Sequence, residues 1–195
     1  KEMRLLQPFR FASNDHRHVE MLVEWLDPPV GAKILDVGCG FGTVAEIMQS
    51  IRPDLQFVLL NPELSQLNAC PDGFEKIFAD AYSIPLDDMS VDVVMMNDSM
   101  CNMDYKVAIA EASRVLRPGG LLFINDLART HGDNDMLRRY VQCDAHTPET
   151  ISEHALSMGF SEGVSGIPDV FSYYLRDIVE DIGRYDNAFE GVVPY

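Results

Sequence analysis

Positive charge is what this sequence has least of. Fifteen Lys and Arg stand against 31 Asp and Glu, a formal net charge of −16 over 195 residues. A field of that sign repels phosphate backbones and anionic membranes, so a nucleic-acid substrate is disfavoured. Long apolar runs are also missing. The longest, around Val91 to Met96, is strand-sized, far short of the roughly 18 residues that a bilayer-spanning helix needs. The four cysteines (Cys39, Cys70, Cys101, Cys143) form no C-x-x-C pair. That speaks against a zinc site or a disulfide framework, and for a reducing, cytoplasmic setting. There is no visible signal peptide, repeat, low-complexity tract or Gly/Ser linker. Lys1 stands where Met would begin a chain, so the sequence reads as a piece of a longer one.

What is present is an ordinary globular mix, 47% hydrophobic and 24% charged, in a chain long enough to bury a core without staples. One domain is expected over 1–195. Its parts are an N-terminal helix or lid (1–30), a core (31–126) and a helical tail (127–195).

Strand and helix signals alternate. Val19, Leu22, Val23 and Leu26 recur at helical spacing before Pro28-Pro29. Strands are expected at Lys33–Val37, Gln56–Leu60, Glu75–Ala79, Val91–Met96 and Leu121–Ile124, with helices at Thr43–Ser50, Glu63–Asn68 and Ala108–Leu116. Pro118-Gly119-Gly120 is expected to stop the last of these helices. Such alternation implies crossovers and an α/β, Rossmann-like, mostly parallel twisted sheet with helices on both faces. Beyond Arg129 helices dominate, with a candidate strand at Phe160–Ile167 and a helix at Asp169–Ile182. No convincing final antiparallel strand is visible. An uncovered sheet edge would then favour a homodimer.

The most informative run is Ile34-Leu35-Asp36-Val37-Gly38-Cys39-Gly40-Phe41-Gly42. It places three glycines between a strand and a helix, where a ligand can approach the backbone closely. An ordinary tight turn would use glycine too. The spacing is G-x-G-x-G, not the G-x-G-x-x-G of dinucleotide folds. With Asp36 at the strand end, it resembles the cofactor loop of class I S-adenosylmethionine-dependent methyltransferases, and the likeness runs from about Lys33 to Asp126. The resemblance implies S-adenosylmethionine as cofactor and S-adenosylhomocysteine as product. It implies cofactor contacts at Asp36, Gly38, Cys39, Gly40, Gly42, Asn61, Pro62, Asp80, Ala81 and Asn97. Asn61 stands where the family usually has an acidic ribose-binding residue; it can still hydrogen-bond a diol but carries no charge, and Glu63 is a candidate substitute. Asp80 is either the adenine contact or a plain loop cap.

Ligands of such folds bind at the C-terminal strand ends, so the acceptor site should follow the fourth strand. Asn97-Asp98-Ser99, Cys143-Asp144-Ala145-His146 and Pro168-Asp169-Val170-Phe171-Ser172-Tyr173-Tyr174 resemble stretches of terpenoid C-methyltransferases of the geranyl diphosphate kind. That resemblance implies a small isoprenoid acceptor. Methylation of an alkene leaves a carbocation that a carboxylate must deprotonate and that aromatic faces stabilise. Asp98 is the candidate base, with His146 and Tyr173 as further catalytic candidates and Asn102, Arg129, Phe171 and Tyr174 as acceptor contacts. Each has a plainer reading: a capped loop carboxylate, a helix-capping histidine, a solvated basic cluster, core aromatics. No metal ligand set is visible, although Mg²⁺ would suit a diphosphate acceptor in so acidic a protein. Phe9, Phe11, Trp25 and Leu26 are lid candidates. O- or N-methylation of another small metabolite, or a non-catalytic binding role, stays open.

Overall fold

The computed structural model describes residues 16–126, 129, 132–140 and 142–161. They divide after Asp126 into two compact units.

The first unit is built on five parallel strands: β1 (Lys33–Val37), β2 (Gln56–Asn61), β3 (Glu75–Phe78), β4 (Val91–Asn97) and β5 (Leu116–Asn125). Their order across the sheet is β3-β2-β1-β4-β5. The central strands are apolar without alternation because both faces are covered. Ile34, Leu35, Val93, Val94, Met95 and Met96 are all fully buried. Each such side chain contributes about 1.5–3 kcal/mol of transfer free energy.

Helix α1 (His16–Leu26) turns Val19, Leu22, Val23 and Leu26 inward. Its Val19, Val23 and Leu26 meet Ala45 and Met48 of α2 (Thr43–Ile51) over Ile34, Phe57, Leu59, Val93 and Met95. Leu26 therefore belongs to this core and not to a lid. The short α3 (Leu64–Ala69) is capped by Glu63, whose side chain accepts from Ser65 N. Helix α4 (Tyr105–Val115) buries Ala108, Ile109, Ala112 and Val115.

Two boundaries differ from the sequence expectation. Helix α4 begins at Tyr105 because Asp104 caps it, its carboxylate accepting from Lys106 N at 3.0 Å. Strand β5 begins at Leu116 because Pro118-Gly119-Gly120 is a bulge inside the strand rather than a stop. Leu116 already pairs with Val91, and the register shifts before Val93 meets Leu121. Gly119 takes φ 79. A Cβ on Gly120 would lie 2.9 Å from the carbonyls of Arg117 and Asp92, so only glycine lets the two strands stay this close.

The second unit holds α5 (Asp135–Tyr140) and α6 (Pro148–Ser157). Thr147 caps α6 by accepting from Thr150 N, and Pro148 opens it. Asn134 and the Ala145 backbone exchange two hydrogen bonds, at 3.0 and 3.1 Å. The strand expected at Phe160–Ile167 falls mostly outside the described residues, and the helix at Asp169–Ile182 wholly so.

Candidate active site

From β1 the chain runs to β2 on one side, and from β4 to β5 on the other. A crevice therefore opens at the C-terminal ends of β1 and β4. Two turns line it: the glycine turn after Val37 and the segment after Asn97.

Gly38, Gly40 and Gly42 all adopt left-handed backbone, with φ 78, 55 and 73. Their reasons differ. A Cβ on Gly38 would lie 2.6 Å from the Ser99 Cβ. One on Gly42 would lie 3.0 Å from Leu59 Cδ1 and 3.3 Å from Cys70. One on Gly40 would meet nothing within 4 Å. The three glycines, all expected to let a ligand approach the backbone, thus differ in their surroundings. Gly38 and Gly42 make room for the protein itself, and Gly40 alone faces open space.

The turn is tied down on several sides. Gly38 N and Cys39 N both donate to Leu60 O, at 2.8 and 3.2 Å, and Gly42 N donates to Cys39 O at 2.9 Å. The Cys39 side chain is buried within the apolar core. Burial first, then the neighbouring Asp36 carboxyl, holds its thiol well above the ordinary range. Cys39, expected to contact a cofactor, has its side chain and both backbone groups engaged within the protein. Asn61 is also buried. Its amide nitrogen donates to Gly40 O at 3.2 Å and to Gln66 Oε1 at 3.0 Å, and its Oδ1 accepts from Glu63 N at 2.9 Å. Asn61 is therefore a clamp between the glycine turn and the start of α3; Pro62 beside it is exposed.

Asp36 shares a sheet face with Ile34 and pairs with Leu59 and Met95. It is buried, and burial pushes its carboxyl up to about 7. A cationic ligand group brought beside it would favour the carboxylate. After β3, Asp80 is exposed and its Oδ1 accepts from Tyr82 N at 2.8 Å, while Ala81 is buried. The Tyr82 hydroxyl in turn accepts from Asp104 N at 2.8 Å.

After β4, Asp98 takes φ 51, a left-handed turn that Asp tolerates better than most residues. Its backbone N donates to Asn125 O at 2.7 Å. The Asn97 amide donates to Asp98 Oδ2 at 3.2 Å and accepts from Asn125 Nδ2 at 2.7 Å. Ser99 Oγ donates to Val37 O at 2.8 Å, fastening this turn to β1. A 3-10 turn follows at Met100–Asn102, where Cys101 N donates to Asp126 Oδ2 at 3.1 Å and Asn102 is exposed.

The crevice thus brings together Asp36, the glycine turn, Asn61, Asn97 and Asp98. Arg129 and His146 lie in the second unit, where Arg129 N donates to His146 O at 2.9 Å. Phe171, Tyr173 and Tyr174 lie outside the described residues. Among the described residues, no group of three or more His, Cys, Asp or Glu is placed to hold a metal ion. None of the described helices is long and apolar enough to cross a membrane.

The family model described as a methyltransferase domain matches residues 35–124, which contain both turns. Over that stretch, a little under half of its length, the chain is similar to methyltransferase domains. The O-methyltransferase cnsE of Penicillium expansum is 33% identical over 129 residues, 60% of this chain and 46% of that protein. The chain spans a little under half the length of the curated relatives it matches. Among solved structures, the [4+2]-cyclase SpnF superposes with a TM-score of 0.73 at 21% identity, covering 91% of this chain and 73% of that one. A geranyl diphosphate C-methyltransferase from Streptomyces coelicolor A3(2) gives 0.63 at 16% identity, covering 72% and 57%. At these identities the superpositions speak for the fold.

The residues of this stretch fit S-adenosylmethionine, the cofactor that the likeness implies. Gly40 offers an open cradle of backbone, and buried Asp36 gains its charge most readily beside a cation. Asp36, the glycine turn and the Asp80–Ala81 turn are the groups that would hold S-adenosylmethionine. Sequence reading gave no role to four residues around the site: Ser99, Tyr82, Asn125 and Asp126. For the last two a signal existed. Ile124-Asn125-Asp126 repeats the pattern of Met96-Asn97-Asp98, a polar pair directly after an apolar strand.

Proposed function

We propose that this chain transfers a methyl group from S-adenosylmethionine to a carbon atom of a small isoprenoid, prenyl diphosphate-like acceptor. In this reading 31–126 binds the cofactor and 127–195 supplies acceptor contacts. The observation that carries it is the turn after β4. A carboxylate, Asp98, is held at the crevice by Asn97 and by the Asn125 carbonyl, and joined through Ser99 to the turn at Gly38. Bound S-adenosylmethionine supplies an electrophilic methyl carbon on sulfur, and S-adenosylhomocysteine is the product. The acceptor's alkene electrons form the new C–C bond as the C–S bond breaks with its electrons going to sulfur. Asp98 then removes the proton next to the cationic carbon, and that C–H electron pair restores the alkene. His146 is proposed to orient the acceptor or act as a further base, and Phe171, Tyr173 and Tyr174 to line the acceptor's apolar part, Tyr173 as a further catalytic candidate; Arg129 and Asn102 are proposed to meet its polar end. Mg²⁺ would bridge a diphosphate to this acidic chain.

A second reading is O-methylation of a small molecule, favoured by the likeness to the fungal O-methyltransferase. Calorimetric titration with S-adenosylmethionine and S-adenosylhomocysteine comes first; both should bind at micromolar affinity. Turnover of prenyl diphosphates with and without Mg²⁺ then tests the acceptor. Asp98→Asn should abolish C-methylation and leave cofactor affinity intact. Full turnover by that variant would remove Asp98 as the base.

A further inference from the structure

The chain writes one dipeptide at the ends of two neighbouring strands: Asn97-Asp98 after β4 and Asn125-Asp126 after β5. The parallel register makes Asn97 and Asn125 partners. Partners in register present their side chains on the same face of the sheet, and these two amides bond directly. Asn125 Nδ2 donates to Asn97 Oδ1 at 2.7 Å. Asn97 Nδ2 then donates to Asp98 Oδ2 at 3.2 Å. The backbone closes the ring, with Asp98 N donating to Asn125 O at 2.7 Å.

We propose that Asn125 is a positioning residue for Asp98: it fixes the Asn97 amide so that the NH₂ end, not the carbonyl, faces the Asp98 carboxylate. The inference rests on the reading of Asp98 as the proton acceptor. A carboxamide has two ends of nearly equal shape, and its partners decide which way it points. Turned over, Asn97 would set a carbonyl oxygen against a carboxylate, an acceptor against an acceptor. Asn125 prevents this by giving the carbonyl end its own donor. All three side chains are half-buried, where such bonds count for more than at the surface.

A hydrogen bond to the ionised form of an acid favours that form. Asn125 thus acts through Asn97 to keep Asp98 able to accept a proton. Among the described residues, the neighbouring turns and strands carry further acids. Asp36 on β1, Asp126 after β5, and Cys101 and Asp104 in the turn are all acidic. Asp126 is further committed to Cys101 N, and Asp104 to Lys106 N.

The test is a carboxyl ¹³C NMR titration of the full chain, with the Asp98 signal assigned by its loss in Asp98→Asn. Asn125→Leu keeps the size of the side chain and adds no charge. It should raise the Asp98 midpoint by about one pH unit, a tenfold change in proton affinity. Asn97→Ala should raise it at least as much, and adding Asn125→Leu to Asn97→Ala should raise it no further. Asn125→Ser provides the same readout if the leucine variant fails to fold. An unchanged midpoint in the folded single variant overturns the proposal, as does a shift that persists at full size in the Asn97→Ala background. The titration needs no acceptor, so failure of Asp98 as the base would show separately, as turnover by Asp98→Asn.

Discussion

The two turns that meet at the centre of the sheet are held by different means. The turn after β1 is held by crowding. A Cβ on Gly38 would strike Ser99 and one on Gly42 would meet Leu59 and Cys70, and the turn's polar groups are taken by Leu60 and Asn61. The turn after β4 is held by hydrogen bonds between half-buried polar side chains, with Asp98 in a strained backbone conformation. Close packing tolerates almost no change of volume. A polar ring tolerates changes of volume but not of donor and acceptor. A cofactor used in every turnover suits the first arrangement. A group that must gain and lose a proton suits the second.

The largest expected effect breaks the crowded turn. Gly38→Ala combines a left-handed alanine with a severe overlap, and should cost about 4–5 kcal/mol of stability in urea unfolding. Ser99→Gly in the same chain removes the overlapping Cβ and should restore about half of that loss. No restoration would mean that backbone strain, not Ser99, makes Gly38 obligatory.

Next is Asp36→Asn. Burial raises the Asp36 carboxyl from 3.8 to about 7, so the folded protein keeps a proton that the unfolded chain has already released. Its contribution to stability is complete below about pH 4 and is lost as pH rises through about 7. Asparagine removes that dependence. Urea unfolding at pH 5 and pH 8 should show the variant gaining on the wild type as pH rises, with a ceiling of about 3 kcal/mol. S-adenosylmethionine affinity should fall in the same variant. A stability gap that does not change with pH would show Asp36 to be ionised throughout.

Gly40→Ala sharpens the contrast within the glycine turn. Nothing crowds that position, so stability should fall by only about 1 kcal/mol from the left-handed backbone. S-adenosylhomocysteine affinity should fall at least about tenfold, because the added methyl fills the open cradle. Unaltered affinity would move the cofactor away from Gly40.

The smallest effect concerns the polar turn. Asp98→Gly and Asp98→Ala remove the same carboxylate, but only glycine relaxes at φ 51. The glycine variant should be the more stable by about 1 kcal/mol in thermal unfolding. Equal stabilities would mean that the turn after β4 carries no strain.

Much of the molecule was legible in the chain itself. The strands were readable because buried parallel strands are continuous apolar runs, and the glycine turn because its spacing is local. Helix α4 was placed too late because Asp104 was not recognised as its cap. Strand β5 was placed too late because Pro-Gly-Gly signals a stop by propensity, and only pairing with Val91 makes it a bulge. Asp98 was legible as a polar residue after an apolar strand. Its twin pair Asn125-Asp126 went unread, because register between strands is not a local property.

By itself, then, the sequence determined the alternation of strands and helices, the place of the glycine turn and the acidic character of the whole chain. Those follow from local spacing and composition. Tertiary structure alone decided which glycine faces open space, that Cys39 and Asn61 tie the glycine turn to its neighbours, and that Asn125 reaches Asp98 through Asn97. Ser99 and Val37 stand 62 residues apart in the chain, yet their contact ties the two turns together. Such contacts arise when the sheet assembles β1 beside β4 and β4 beside β5, and no pattern of neighbouring residues specifies that pairing.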